Sequence, residues 1–586
     1  MEAFPVETGG IAPTLAEDPA LGLSQRQKLE ILGAVLLGLF LVALDQTIVG
    51  TALPRIVTDL GGNDLYTWVV TIYLLTSTIT VPFYGKLSDL YGRRPMLMIG
   101  ITLFLVGSAL SGLSQEMWQL ILFRGVQGLG AGALFPIALA VIGDLFTPAE
   151  RGKYQGLFGA VFGISFLIGP GLGGFLTDNV GWHWIFFVNI PIGIVSLAVI
   201  WKLLPTIKRS GASRNLDYLG AMIFTIAIGF LLVGLTNKQS GDWSDFVVGG
   251  FIAIGLALSA VFVLAETRAK EPIVPLDLWR NRTYVSSVLS TFFVSFGFFG
   301  AIIFLPRWFQ VVREETATAS GYLIFPMLIG MIGSSIMAGI LVSRTGKYKA
   351  IVIAGLATMA VGITLMTQLR ADTEYPVLFL WMFVTGLGIG PTLSVFTIIV
   401  QNAVPFAKLG VATSNLAFFR QIGGSVGLAI AGTLFGQALT DELPAQTDTV
   451  FSSMANGAPA QARPAIEQFQ ASFNGAIQSG QGIDLNNQTG VGQSFGDAVL
   501  GQVPAAFQSV IQPFVPQFDQ AFNNAMSLAI AHTFWLGVGA TVLGFGAALF
   551  MRELPLRRTH GADPGPAGSP AAAPEADEGL VPSTAD

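Results

Sequence analysis

Ionisable side chains inside long apolar runs are the residues of this chain best able to do chemistry. Each costs about 2.5–3.5 kcal/mol to insert at the centre of a bilayer, so it persists where it pairs or acts. Asp45 is the only carboxylate well inside such a run, and Arg124 and Arg420 are the only basic residues so placed; His532 lies towards the outer end of the last run. Asp45 is about fourteen residues into the first run, or roughly 21 Å at the helical rise, and Arg124 is about six residues, or roughly 9 Å, from the outer start of the fourth. In a hydrocarbon core of ~30 Å both fall at one level in the outer half. A neighbouring arginine holds a carboxylate ionised, whereas low dielectric favours its protonation, so alternation of the pairing could load and release a proton. The competing reading is a static ion pair that joins two helices. Arg420, near mid-depth of the thirteenth run, either attracts an anionic head group or pairs structurally.

Three further patterns carry information. The stretch Gly85–Leu97 sets Lys86, Asp89, Arg93 and Arg94 between apolar runs at 66–84 and 95–114. Those charges cannot lie unpaired in hydrocarbon, so the turn sits at a membrane surface. A weaker copy, Gly339–Lys349, follows about 254 residues later, with Ser343 in place of the acidic residue. Gly163–Gly174 places Gly169, Pro170, Gly173 and Gly174 in the fifth run, where small residues allow close helix packing and proline bends the helix. Phe292, Phe296 and Phe299 share one face of the ninth run; an aromatic face suits apolar or cationic ligands, and lipid contact explains it equally well.

The elements that position these residues follow from composition. The 586 residues are 52% hydrophobic and 11% charged, against roughly 25% charged in soluble domains, and fourteen runs approach the ~20 residues of a membrane span. With no cysteine and only His183, His532 and His560, the chain offers no thiol catalysis and no clustered metal ligands, so neither metal nor cofactor is expected. The thinly spread net charge of −6 gives no reason to expect a nucleic-acid partner. Placing the N-terminus in the cytoplasm puts twenty-two of the thirty lysines and arginines on the inner side and six on the outer, leaving Arg124 and Arg420 inside spans; both termini are then cytoplasmic.

The chain also repeats itself. Gly128-Leu-Gly-Ala-Gly132 returns 258 residues later as Gly386-Leu-Gly-Ile-Gly390, and Gly152 and Gly410 share that offset. The expectation is an all-α membrane protein with fourteen transmembrane helices, built as two six-helix bundles plus two inserted helices. The expected parts are a tail (1–30), a first bundle (31–204), an inserted pair (215–266), five helices of a second bundle (283–439), a long extracytoplasmic loop with amphipathic helices (440–524), its last helix (525–551) and a disordered tail (552–586). Paired bundles around a central site are a transporter architecture. The outer loop is either a mobile flap, or a cap over the outer cavity mouth or a dock for an envelope partner.

These residues resemble a known family. Gly85-x-Leu-x-Asp89-x-x-Gly92-Arg93-Arg94 is similar to the signature loop between helices 2 and 3 of the major facilitator superfamily. Leu44-Asp45-Gln-Thr-Ile-Val-x-x-Ala-Leu-Pro54 resembles the helix 1 motif of its fourteen-helix drug:proton antiporter branch. Arg124-Gly-x-Gln127-Gly128-x-Gly130-x-Gly132 resembles its proton-coupling motif, Gly169-Pro170-x-x-Gly173-Gly174 its antiporter motif, and Trp182-x-Trp184-Ile-Phe-Phe-x-Asn189-x-Pro191 continues the pattern. The resemblance implies proton-coupled export of amphipathic, lipophilic compounds across the cell membrane by a monomer, with Asp45 and Arg124 coupling protons. Gly85, Asp89, Gly92, Arg93, Arg94 and Asp144 would form a gating latch, and Gln127, the three phenylalanines and Arg420 would contact cargo. The departures are His183, where arginine is common, and the tenth run, which lacks the embedded acid some relatives use for dications. The competing expectations are an exporter of an envelope lipid or fatty acid, and a transporter-like sensor or scaffold. No enzyme is expected.

Overall fold

The structure, a computed structural model, describes residues 23–60, 65–205, 217–238, 241–269, 272–457, 463–479, 495–502, 508 and 511–556. The expected disorder of the C-terminal tail beyond 556, residues 1–22 of the N-terminal tail and most of the amphipathic stretch at 504–511 lie outside these residues.

A backbone in hydrocarbon must satisfy its own polar groups, and apolar runs of this length do so as helices. Among the described residues, fourteen helices are long and apolar enough to span a membrane. They are α1 (Gln25–Leu60), α2 (Tyr66–Tyr91), α3 (Arg93–Gly112), α4 (Met117–Leu145) and α5 (Pro148–Asn179), then α6 (Trp184–Leu203), α7 (Tyr218–Asn237) and α8 (Phe246–Glu266). The second half brings α9 (Arg282–Val312), α10 (Thr318–Thr345), α11 (Lys349–Met366), α12 (Tyr375–Ala403), α13 (Leu409–Gly457) and α14 (Gln512–Leu549).

Local signals set the helix ends. Thr147 and Glu150 form a reciprocal capping box at the start of α5, which satisfies amide groups the helix leaves free. The Asn281 side chain accepts from Thr283 and Tyr284 at the start of α9. Between α2 and α3 the chain reverses within a single residue, Gly92, at φ 99°, where a side chain would be strained.

The repeat is physical. A Cβ added to Gly128 or Gly132 would strike α2 at Tyr73, Thr76, Ser77 or Thr80, and one on Gly130 would strike α3 at Phe104. In the second half Gly386 and Gly390 meet α10 at Met327, Met331 and Ser334, while Gly388 meets α11 at Met359. The Gly-x-Gly-x-Gly helix of each half is thus the axis on which two neighbours pack at backbone distance.

The halves meet along two seams. Gly152, Gly156, Gly159 and Gly163 of α5 face Gly339, Ile336, Ser335 and Ile332 of α10, and Gly85 of α2 faces Gly410 and Ser414 of α13. The inserted pair docks on the second seam, where Phe224 of α7 touches Phe83 of α2 and Phe418 of α13.

The thirteenth run, expected to end at 439, continues as helix to Gly457 and is 49 residues long, about 74 Å at 1.5 Å per residue. The last helix likewise starts at Gln512, not 525. Polar residues such as Asp441 and Glu442 mark where hydrocarbon ends, not where hydrogen bonding ends. The projecting ends pack with two short helices, Arg463–Ser479 and Phe495–Gln502. Phe451 contacts Phe469, Phe473 and Phe518, and Phe495 stacks on Phe522 at 4.6 Å, so this segment has an aromatic core of its own.

Candidate functional site

Asp45 and Arg124 meet. Arg124 Nη1 lies 2.6 Å from Asp45 Oδ2, with side chains 1% and 0% exposed. Arg124 also donates to Gln127 Oε1 at 2.7 Å, and Gln127 Nε2 donates to Asp45 Oδ1 at 2.8 Å, closing a ring of three side chains. Asn189 of α6 donates to Asp45 Oδ1 at 3.1 Å and to Ser108 Oγ of α3 at 3.0 Å. Tyr73 of α2 lies under the guanidinium, 4.2 Å from charge centre to ring. One carboxylate is therefore held by α1, α4 and α6, and its partner touches α2. Breaking a buried pair by neutralising one member typically costs 3–5 kcal/mol, unless the other charge finds a replacement. Protonation of Asp45 would release Arg124 to rearrange.

The geometry shows what Gln127 and the phenylalanine stripe touch. Gln127, expected to meet cargo, has its amide committed to Asp45 and Arg124. The phenylalanine stripe, read as a ligand or lipid surface, packs on glycines of α13: Gly423 faces Phe292, Gly424 faces Phe299 and Gly427 faces Phe296. A helix face without side chains lets α9 approach closely, with the Phe296 and Phe299 side chains and the Phe292 backbone lying in the groove. Asn189 and Tyr73 were not singled out as site residues. Asn189 does fall within the Trp182–Pro191 motif, but an uncharged amide carries no strong signal of its own. His532 is exposed on α14, away from the site, and His183 stacks on Trp182 at 3.8 Å.

A second charged cluster lies at the Gly85–Arg94 turn. Arg93 sits between two carboxylates, Nη2 2.7 Å from Asp89 and Nε 2.7 Å from Asp144 at the end of α4, and it donates to Ser88 Oγ at 2.6 Å. Asp89 Oδ2 in turn accepts the Val411 amide at 2.9 Å. That amide belongs to the first turn of α13, where donors are unpaired and the helix dipole is positive. Asp89 thus ties the first half to the second, while Arg93 and Asp144 brace it from behind. In the related position Ser343 faces Gly152, and Asn402, 258 residues after Asp144, donates to the Pro555 carbonyl. Ser343 and Asn402 thus stand where the first half has the acids Asp89 and Asp144.

Further hydrogen bonds close the same end. Arg151 donates to the Phe146 and Gly143 carbonyls that end α4. Gln401 of α12 accepts from Gln155 at 3.1 Å and donates to the Leu139 carbonyl at 3.1 Å. The glycine motif of α5 packs between halves: Gly169 and Gly173 sit against Thr47 and Thr51 of α1, and Pro170 and Gly171 against Gly321 and Tyr322 of α10. Gly174 lies near Thr318, and Arg94 is half-buried beside Arg93.

Comparison with known proteins agrees with this arrangement. The Major Facilitator Superfamily model matches residues 35–428. The chain belongs to the major facilitator superfamily. It is 37% identical over 539 residues to a multidrug transporter protein, MdtP, of Bacillus subtilis, spanning 91% of this chain and 94% of that protein. Multidrug resistance protein 3 of the same organism is 32% identical, over 91% of this chain and 96% of that one. Among solved structures, the proton:xylose symporter XylE shares the fold at 15% identity and TM-score 0.52, covering 70% of this chain and 89% of that chain. This major facilitator protein is a multi-pass membrane transporter, not an enzyme.

Proposed function

We propose that the protein is a proton-coupled antiporter that exports amphipathic, lipophilic compounds across the cell membrane by rocking its two halves. The observation that carries this reading is the buried Asp45 carboxylate, the only one well inside a span, bonded to Arg124, Gln127 and Asn189. A carboxylate whose charge depends on contacts from three helices changes its proton occupancy when those helices shift. Cargo binding and protonation then compete for one conformational equilibrium, which is what exchange requires.

Two further observations support the reading. The two Bacillus subtilis relatives, matched over nearly their whole length, are named a multidrug transporter protein and a multidrug resistance protein. Arg124 and Asp144 also share α4, twenty residues or about 30 Å apart, so one continuous helix joins the carboxylate to the Asp89–Arg93–Asp144 tie. With the N-terminus cytoplasmic, that tie closes the cytoplasmic side and loosens as the cavity turns inward.

The test is efflux of a lipophilic dye from vesicles carrying an imposed proton gradient. Asp45→Asn should reach the membrane in normal amount and lose gradient-driven efflux. Normal efflux by this variant would reject the assignment.

A further inference from the structure

Arg420 is the second cation deep in the bundle, and its surroundings differ in kind from those of Arg124. Its Nη2 is buried and has no hydrogen-bond partner. No ion pair involves it among the described residues, and its charge centre lies 5.8 Å from the ring of Phe135, across the interface on α4. It lines a cleft with Thr291, Ser295 and Phe298 of α9 and Thr392 of α12. The Thr291 hydroxyl there is a second buried polar atom without a partner, and the free space holds little more than a water molecule, about 10 Å³. Nothing in the architecture demands an arginine here, because the first half carries Phe162 at the corresponding position.

A second uncompensated cation lies further along the same wall. Arg307 of α9 sits over Phe435 at 4.8 Å, and its Nε and Nη2 are buried without partners. It is twelve residues beyond Ser295, about 18 Å towards the end remote from the Gly85–Arg94 turn. The one deep carboxylate, Asp45, is already neutralised by Arg124. The second half therefore presents positive charge in a low-dielectric setting with no acid to balance it, an arrangement that is costly unless an anion completes it.

We propose that Arg420, with the Thr291 hydroxyl, forms the head-group subsite for cargo bearing one anionic group, a carboxylate or sulfonate, on an apolar body. Arg307 is the next cation such a head group meets on its way outward. The proposal rests on the reading of the chain as an exporter of amphiphiles and adds the charge of what it exports. A planar guanidinium can hold a carboxylate through two parallel N–H donors, and the neighbouring phenylalanines accept the apolar remainder. The cleft is too small for a head group as it stands, so occupation requires the halves to part. Cargo binding and loosening of the Asp89 tie are then one event.

The same head group could arrive on a soluble organic acid or on a membrane fatty acid, and two probes separate these sources. Binding is measured to the purified full-length protein in lipid nanodiscs. The probes are pyrenebutyrate, its neutral amide, and a pyrene-labelled long-chain fatty acid delivered from the bilayer. The wild type should prefer pyrenebutyrate or the labelled fatty acid to the amide, and whichever acid binds more tightly identifies the source. Arg420→Met should weaken that acid by about tenfold or more, the worth of a charge-assisted hydrogen bond, and leave the amide within about twofold. Arg420→Lys, which keeps the charge and loses the fork, should fall between. Thermal unfolding of the variants separates misfolding from lost binding, and the acid-against-amide preference of the wild type needs no variant. Equal affinity for acid and amide in the wild type, or equal weakening of both in Arg420→Met, would overturn the proposal. The coupling reading is judged by a different measurement, gradient-driven efflux by Asp45→Asn, so a failure of coupling in transport leaves these binding results on the wild type and the Arg420 variants readable.

Discussion

Replacing Asp89 with asparagine removes one charge from the tie between the halves and almost nothing of its shape. Asp89 is 7% exposed, pairs with Arg93 at 2.7 Å and accepts the Val411 amide at 2.9 Å. Arg93 keeps Asp144, so the variant leaves no orphaned charge, and the loss is that of charge-assisted bonds, about 1.5–3 kcal/mol. If those bonds exist only when this end is closed, the closed-to-open ratio falls by about 10- to 150-fold. The natural chain has no cysteine, so a single introduced thiol reports without background. Ser414→Cys is suited to this, since Ser414 is buried against Gly85 across the seam. Maleimide should label it faster in the Asp89→Asn background by the same factor, up to the rate of a free thiol. Cargo binding should survive. Unchanged labelling would show that Asp89 does not hold this end closed, and the link drawn through α4 would lose its lower half.

Other expectations follow from particular contacts. Gly128→Val should lower stability by about 1–3 kcal/mol, since its side chain would meet Tyr73 and Thr76 on α2. Gly50→Ala, with open space around its Cβ, should be nearly neutral, and thermal unfolding compares the two. Tyr348 ties the end of the chain to the bundle, donating to the Arg552 carbonyl at 3.2 Å and accepting from Leu554. Tyr348→Phe should cost about 0.5–1.5 kcal/mol and speed amide exchange in residues 552–554. Burial pushes the Tyr348 hydroxyl up to about 12, against the opposing Leu554 bond and with help from Glu553. The tie is therefore whole below pH about 10, the unfolded value, and is lost as pH rises through the folded one. Phe451→Ala should weaken the projecting aromatic cluster by about 3–5 kcal/mol and expose residues 463–479 and 495–502 to protease while leaving the spanning helices intact.

The parts of this fold that were legible are those where lipid imposes a rule. Fourteen apolar runs had to be helices, and the recurring glycines of Gly128–Gly132 and Gly386–Gly390 marked the two axes because only glycine permits that approach. Asp45 and Arg124 could be placed at one depth by counting residues along straight helices, and they do meet. Legibility ended where the rule did. The continuation of α13 to Gly457 crosses from lipid into water, where polarity no longer reports helix ends. The roles of Gln127 and the phenylalanine stripe turned on which way a face points about the helix axis. Residue counting gives depth and leaves that rotation open until the glycines of α13 are seen opposite. Asn189 escaped notice because a neutral amide in a span resembles many packing residues.

The coupling itself is best tested by following protons. Purified protein in nanodiscs, in a weakly buffered solution containing a pH indicator, should release protons when a lipophilic cargo is added. Asp45→Asn should bind that cargo and release none, as should Arg124→Gln if the pairing is what expels the proton. Equal proton release from wild type and Asp45→Asn would contradict the account and move the coupling site elsewhere.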